Sequence, residues 1–134
     1  MRTFHRPALI AVLALTGCGG PIITRVDSSL EAPTFHFSGG PGEQPPCISH
    51  IGVGAADTRW ELESHLGHCV GVGQLDYGEP PAGLTEESPA RPLSAGVPYS
   101  ISIVGFGVDA PGGICNFTWR GGHWTTQGPH CAER

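Results

Sequence analysis

The sequence predicts an all-β domain, a small antiparallel β-sandwich or barrel of about six to seven strands. Its 134 residues include 21 glycines and 13 prolines, which disfavour long helices. Several short segments alternate between apolar and polar residues, as strands do when one face lies in a core. Turn-forming residues separate these segments at regular intervals, and the length suits one domain.

The N-terminal segment is typical of a secretory signal. Arg2 and Arg6 precede an uninterrupted apolar run over residues 8–15. The run is shorter than the roughly 20 residues that a membrane-spanning helix needs. It also lacks the polar face that repeats along a buried amphipathic helix. We therefore expect residues 1–17 to be a signal helix that is removed from the mature protein.

The apolar run ends in Leu15-Thr16-Gly17-Cys18. These residues resemble the lipobox of bacterial lipoproteins, in which an aliphatic and two small residues precede an obligatory cysteine. The resemblance implies that the Cys18 sulfur receives a diacylglyceryl group, that cleavage occurs before Cys18, and that the new amino group is often acylated. It implies a cell-envelope protein held on the membrane by lipid, with no cofactor besides that covalent lipid. Glycines follow Cys18 where enteric lipoproteins retained in the inner membrane have an aspartate, so the resemblance favours the outer membrane.

Residues 18–33 are predicted to be the lipidated cysteine and a flexible tether, and residues 34–134 the folded domain. The tether segment carries a proline near each end and shows no sustained period. The predicted strand over residues 58–64 alternates most cleanly between apolar and polar residues. It should bury Trp60 and Leu62 while Arg59 faces water. The predicted strands cover residues 34–38, 48–54, 58–64, 70–77, 97–106, 114–120 and 123–127.

The last two strands are predicted to form a hairpin around Gly121-Gly122. A two-residue hairpin turn needs a positive φ at both positions, which glycine adopts freely. The resulting register sets Trp119 opposite Trp124, with both rings on the apolar face. By contrast, residues 78–96 are predicted to be a long, proline-rich surface loop.

Four cysteines remain after Cys18 is assigned to lipid, and an even number in an oxidising compartment indicates two disulfides. Three pairings are possible. We favour Cys47–Cys69 with Cys115–Cys131, because each bond closes a local segment. The second bond requires the chain to bend after the predicted hairpin.

Removal of residues 1–17 leaves five arginines, no lysine and twelve acidic residues, a formal charge of −7. Such a domain repels the phosphates of nucleic acids, so DNA and RNA binding are excluded. A partner bound by charge should be a basic envelope protein, and Glu86 and Glu87 in the predicted loop are natural contacts for it.

Several histidines lie near cysteines, a pattern that in a cytosolic protein would suggest a zinc site. Oxidation into disulfides removes the thiols as ligands, so no metal site is predicted. His50, His65 and His68 are the candidates that remain, and His65 with His68 would need a third ligand.

No catalytic motif is present. The serines lie in no nucleophile elbow, and the candidate carboxylate pair Glu61 and Glu63 shares the solvated face of one strand. The tryptophans are predicted to pack in the core instead of lining a sugar platform. We therefore expect a non-enzymatic binding or structural module of the envelope. The alternatives are a metal-binding envelope protein and an inhibitor or chaperone of a basic envelope enzyme.

Overall fold

The computed structural model describes residues 20–40, 42–106 and 112–133, so the predicted signal and Cys18 lie outside the described residues. Within this described part the chain forms ten strands. They are Ile23–Ser28 (β1), Pro33–Ser38 (β2), Cys47–Ala55 (β3), Thr58–Ser64 (β4), Val70–Gly71 (β5), Gln74–Asp76 (β6), Leu84–Ser88 (β7), Tyr99–Gly105 (β8), Gly112–Arg120 (β9) and His123–Gln127 (β10).

The strands form two antiparallel sheets around one core. Among the described residues the smaller sheet has the order β1-β2-β6, and the larger has the order β10-β9-β8-β3-β4-β7 with β5 paired to β3. Phe35 and Phe37 of the smaller sheet belong to the same hydrophobic cluster as Ile51 and Ile101 of the larger one. The all-β prediction is confirmed: the arrangement is that of a small β-sandwich, with more strands than expected.

Two local predictions are confirmed in detail. Trp60 and Leu62 on β4 are 1% and 0% exposed, as the period of two requires. In the β9–β10 hairpin, Trp119 pairs with Trp124, and their ring centroids lie 5.2 Å apart in an edge-to-face arrangement. The turn glycines have φ angles of 61° and 81°.

The predicted tether contains a strand. β1 pairs with β2 along its whole length and buries Ile22, Thr24 and Val26. Thr24 occupies the middle inward position, so the inward face does not read as an apolar alternation in the sequence. The domain therefore begins around residue 21, well before residue 34.

The segment predicted as one strand over residues 70–77 is divided between the two sheets. β5 pairs with β3 of the larger sheet, whereas β6 pairs with β2 of the smaller one. Val72 is buried at the crossing. The glycines at 71 and 73 flank this change of sheet.

The predicted loop over residues 78–96 also contains a strand. β7 pairs with β4 at the edge of the larger sheet and buries Leu84. Glu86 and Glu87 therefore lie on an edge strand and not in a loop. The indole N–H of Trp60 donates a hydrogen bond to Glu86 Oε2 at 2.8 Å.

Both disulfides have the favoured pairing. Cys47, at the start of β3, is bonded to Cys69 between β4 and β5, with Cα atoms 5.3 Å apart. Cys115 on β9 is bonded to Cys131, with Cα atoms 5.0 Å apart. The C-terminal segment bends at Gly128, where φ is 137°, and then runs beside β1, with the Ala132 N–H donating to the Thr24 carbonyl at 2.8 Å.

The strands of the larger sheet define two ends of the sandwich. At the proximal end, β8 finishes at Gly105, β9 begins at Gly112 and β4 finishes at Ser64. The distal end carries the β3–β4 turn after Ala55 and the β9–β10 turn after Arg120.

Candidate functional site

The outer face of the larger sheet carries a polar network centred on Arg59. Its Nη2 donates hydrogen bonds to the Gly52 carbonyl at 2.7 Å and to Ser102 Oγ at 2.8 Å, and its Nη1 donates to Ser100 Oγ at 3.0 Å. Its Nε lies 3.3 Å from Glu61 Oε1. The guanidinium thus spans three strands, because its donors are arranged in a planar fork.

Gly52 makes this arrangement possible. A Cβ atom at position 52 would lie 2.9 Å from Arg59 Nη2, so any side chain there would displace the guanidinium. On the other side of the network, Glu61 Oε2 accepts from His50 Nε2 at 2.5 Å. The alternation of β4 predicts only that Arg59 faces water. The sequence does contain a signal for this network, because Gly52 interrupts a strand and lies opposite the alternating charged residues of β4.

The same outer face has a polar hollow of about 720 Å³ at its distal end, which we call the distal hollow. Its floor is formed by cross-strand rows of β8, β9 and β10. Asn116 lies between Ser100 and Gln127 in one row, and Thr118 pairs with Thr125 in the next. Neighbouring strands lie about 4.8 Å apart and successive outward residues about 7 Å apart, so these groups form a regular grid.

The distal hollow presents hydrogen-bonding groups that bind no other group in the described part of the chain. Among the described residues, the side-chain amides of Asn116 and Gln127 have no hydrogen-bond partner, whereas the Thr125 hydroxyl donates to the Thr118 carbonyl at 3.0 Å. Arg120 at the rim forms no ion pair with any described residue. The hollow therefore offers donors, acceptors and one cation on a paired sheet.

A second hollow of about 570 Å³ lies at the proximal end of the outer face, and we call it the proximal hollow. Three exposed apolar side chains line it. Leu66 is 101% exposed, Phe106 49% and Val104 48%. Large apolar side chains that cluster on a surface mark sites of interaction more often than those scattered singly.

The three candidate metal ligands, His50, His65 and His68, line this proximal hollow too. They do not converge: among the described residues, no three His, Cys, Asp or Glu side chains are arranged so that they could hold a metal ion. His50 is engaged by Glu61.

The carboxylates considered for catalysis each have a structural environment. Glu61 is held by Arg59 and His50, and Glu63 is exposed on the same face of β4. Glu86 accepts the buried indole N–H described above. None of these contacts pairs two carboxylates across a cleft, as glycoside hydrolysis would require.

The fold changes the acidity of Tyr77. Burial raises the pKa of Tyr77 above its ordinary value of 10.0; the backbone of Arg91 opposes this shift, and proximity to Tyr99 adds to it. Its hydroxyl donates to the Arg91 carbonyl at 2.6 Å and accepts from the Arg91 N–H at 3.1 Å. The residue therefore holds the segment that follows β7 in place and does not face either hollow.

No known protein family, curated protein or solved structure matches the chain. In the described part of the chain, no helix is long and apolar enough to cross a membrane.

Proposed function

We propose that this chain is a bacterial envelope lipoprotein, lipidated on Cys18, whose β-domain is a non-enzymatic binding module. The observation that carries the binding role is the distal hollow, where the side-chain amides of Asn116 and Gln127 and the Arg120 guanidinium have no hydrogen-bond or ion-pair partner among the described residues. Side chains on neighbouring paired strands are held in register, so a ligand would not have to order a loop before binding.

The anchor is supported by two independent features. One is the complete lipobox at residues 15–18 behind a charged and apolar leader. The other is the pair of disulfides, which form and persist in oxidising compartments outside the cytoplasm. An outer-membrane location rests on the glycines after Cys18 alone.

The proposed partner has hydrogen-bonding groups that match the hollow. Asn116 and Gln127 each offer a donor and an acceptor, and Arg120 offers a planar cation at the rim. Outside the hollow, the formal charge of −7 on the mature chain favours a basic protein over an anionic surface, whereas Arg120 at the rim favours an uncharged or anionic group of that partner within the hollow. An inhibitor or chaperone of a basic envelope enzyme is one form that such a binding module would take.

The anchor is tested by metabolic labelling with a fatty acid. Cys18→Ala should abolish labelling, because only the thiol can form the thioether. Gly20→Ala is the matched control, since a methyl group there meets open space, and it should remain labelled. Persistent labelling of Cys18→Ala would show that the anchor assignment is wrong.

The binding role is tested by photocrosslinking in the envelope. A photoreactive residue at Gln127 should capture a defined adduct, whereas one at Thr85, on the solvated face of β7, should not. Asn116→Ala should remove the adduct while it changes the free energy of unfolding by no more than about 0.5 kcal/mol, as is usual at surface positions. Equal capture at Gln127 and Thr85, or turnover of a substrate by the purified lipoprotein, would contradict the proposal.

A further inference from the structure

The folded domain begins very close to the proposed anchor. Ile22 is fully buried, and its N–H donates to the Gly112 carbonyl at 3.1 Å. A chain spans at most about 3.6 Å per residue, so the Cα atom of Cys18 lies within about 14 Å of that of Ile22. A lipid on Cys18 would therefore hold the domain against the membrane with almost no spacer.

This attachment point lies at the proximal end of the larger sheet. Gly112 pairs with Val104 on β8, and Val104 lines the proximal hollow together with Phe106 and Leu66. The exposed apolar side chains thus share the end of the sandwich at which the chain leaves for the anchor. Leu66 stands on the turn after β4, with its side chain fully exposed.

We infer that the domain docks on a phospholipid surface through Leu66, Val104 and Phe106. The inference rests on the proposed lipidation of Cys18, because a covalent anchor within about 14 Å brings these side chains to the membrane. Exposed leucine and phenylalanine side chains at an interface insert into the boundary between headgroups and acyl chains.

Charge does not offer a competing explanation for this surface. Among the residues that the structure describes, Glu63 is the acid that lines the proximal hollow, and the other titratable groups there are His50, His65 and His68. The mature chain is acidic and has no lysine, so the headgroups of anionic lipids do not attract it. The contact depends on apolar side chains and on the anchor.

Docking in this way orients the molecule. The distal hollow lies at the opposite end of the same strands, around Tyr99 and Arg120. It would point away from the lipid surface, toward partners in the aqueous phase.

The experiment uses the lipidated protein, extracted from the envelope and reconstituted into vesicles of phosphatidylethanolamine and phosphatidylglycerol with brominated acyl chains. Two variants, Phe106→Trp and Leu66→Trp, carry a reporter at the proximal end. Ala56→Trp, in the exposed β3–β4 turn at the distal end, is the matched control. The three native tryptophans, which are Trp60 and Trp124 at 1% exposure and the partly buried Trp119, contribute the same background to all three proteins.

We expect a loss of emission and a blue shift for Phe106→Trp and Leu66→Trp, relative to vesicles without bromine, and neither change for Ala56→Trp. Circular dichroism checks that each variant is folded, and each proximal reporter tests the inference alone if the other variant does not fold. Unquenched proximal reporters on a fatty-acid-labelled protein would overturn the docking and leave the anchor standing. A protein without fatty-acid label would overturn both. Equal quenching at all three positions would overturn the orientation.

Discussion

Tyr77→Phe tests how much the Tyr77 hydroxyl stabilises the segment after β7. The aromatic ring, which packs edge-to-face on Trp60 with centroids 5.3 Å apart, is retained in the variant. Only the hydroxyl is lost, and with it the two hydrogen bonds to the Arg91 backbone.

The expected cost follows from those two bonds. A hydrogen bond within a protein contributes about 0.5–1.5 kcal/mol net, and water can replace part of it at the exposed Arg91, so we expect a loss of about 1–2 kcal/mol. With a urea dependence of about 1–3 kcal/mol per molar for a small protein, the unfolding midpoint should fall by roughly 0.5–1 M.

The effect should depend on pH in a defined direction. Because the pKa of Tyr77 is raised above 10.0 in the folded state, its contribution to stability is complete below pH 10 and is lost as the pH rises through the folded-state pKa. The difference in free energy of unfolding between the parent and Tyr77→Phe should therefore narrow at high pH.

Urea titrations followed by tryptophan fluorescence, at pH about 8 and pH about 11, measure both effects. Subtracting the variant from the parent at each pH cancels the contributions of all other groups. Equal midpoints at the lower pH, or a difference that widens at the higher pH, would refute this account of Tyr77.

Three further changes test other parts of the structure. Gly52→Ala should displace Arg59 and lower the free energy of unfolding by about 1–2 kcal/mol. The double variant with Arg59→Ala should lose little more, because both substitutions remove the same network, and additive losses would contradict this. Glu86→Ala should lower the free energy of unfolding by about 1 kcal/mol, because it leaves the buried indole N–H of Trp60 without its acceptor. Glu86→Gln keeps an acceptor and should cost less, and equal losses for the two variants would contradict this account. Replacing Cys115 and Cys131 together by alanine should cost about 3 kcal/mol for a loop of this length, and peptide mapping that found another pairing would contradict the structure.

Local patterns predicted the features that depend on residues near one another in the chain. The β9–β10 register follows from two glycines between alternating segments. The inward face of β4 follows from the period of two. The pairing of Cys115 with Cys131 follows from their short separation.

The features that were missed depend on contacts between distant segments. The sequence predicts a tether where β1 lies, because residues 18–33 show no sustained period and carry a proline near each end. Only the pairing of β1 with β2 shows that this segment is a strand. Residues 70–77 read as one strand, and the change of sheet at Val72 depends on which distant edges are available to β5 and β6.

For the distal and proximal hollows, too, local patterns predicted some features and contacts between distant segments decided the others. The alternation of β9 and β10 by itself predicted that Asn116 and Thr118 face water, but their junction with β8 into one hollow needed the strand order. The proximity of Leu66 to Phe106 had no signal in the sequence, since forty residues separate them and the strand pairings alone bring them together.

By itself, then, the sequence determined the strand class, the hairpin register and the acidic balance, all of which are local or compositional properties. It also carries the resemblance to a lipobox that ends at Cys18. The tertiary structure decided where the domain begins, how Arg59 crosses Gly52, and which end of the sandwich carries the apolar side chains. These depend on register and sheet order, because a strand's neighbours are chosen by the burial of the whole core and not by its own residues.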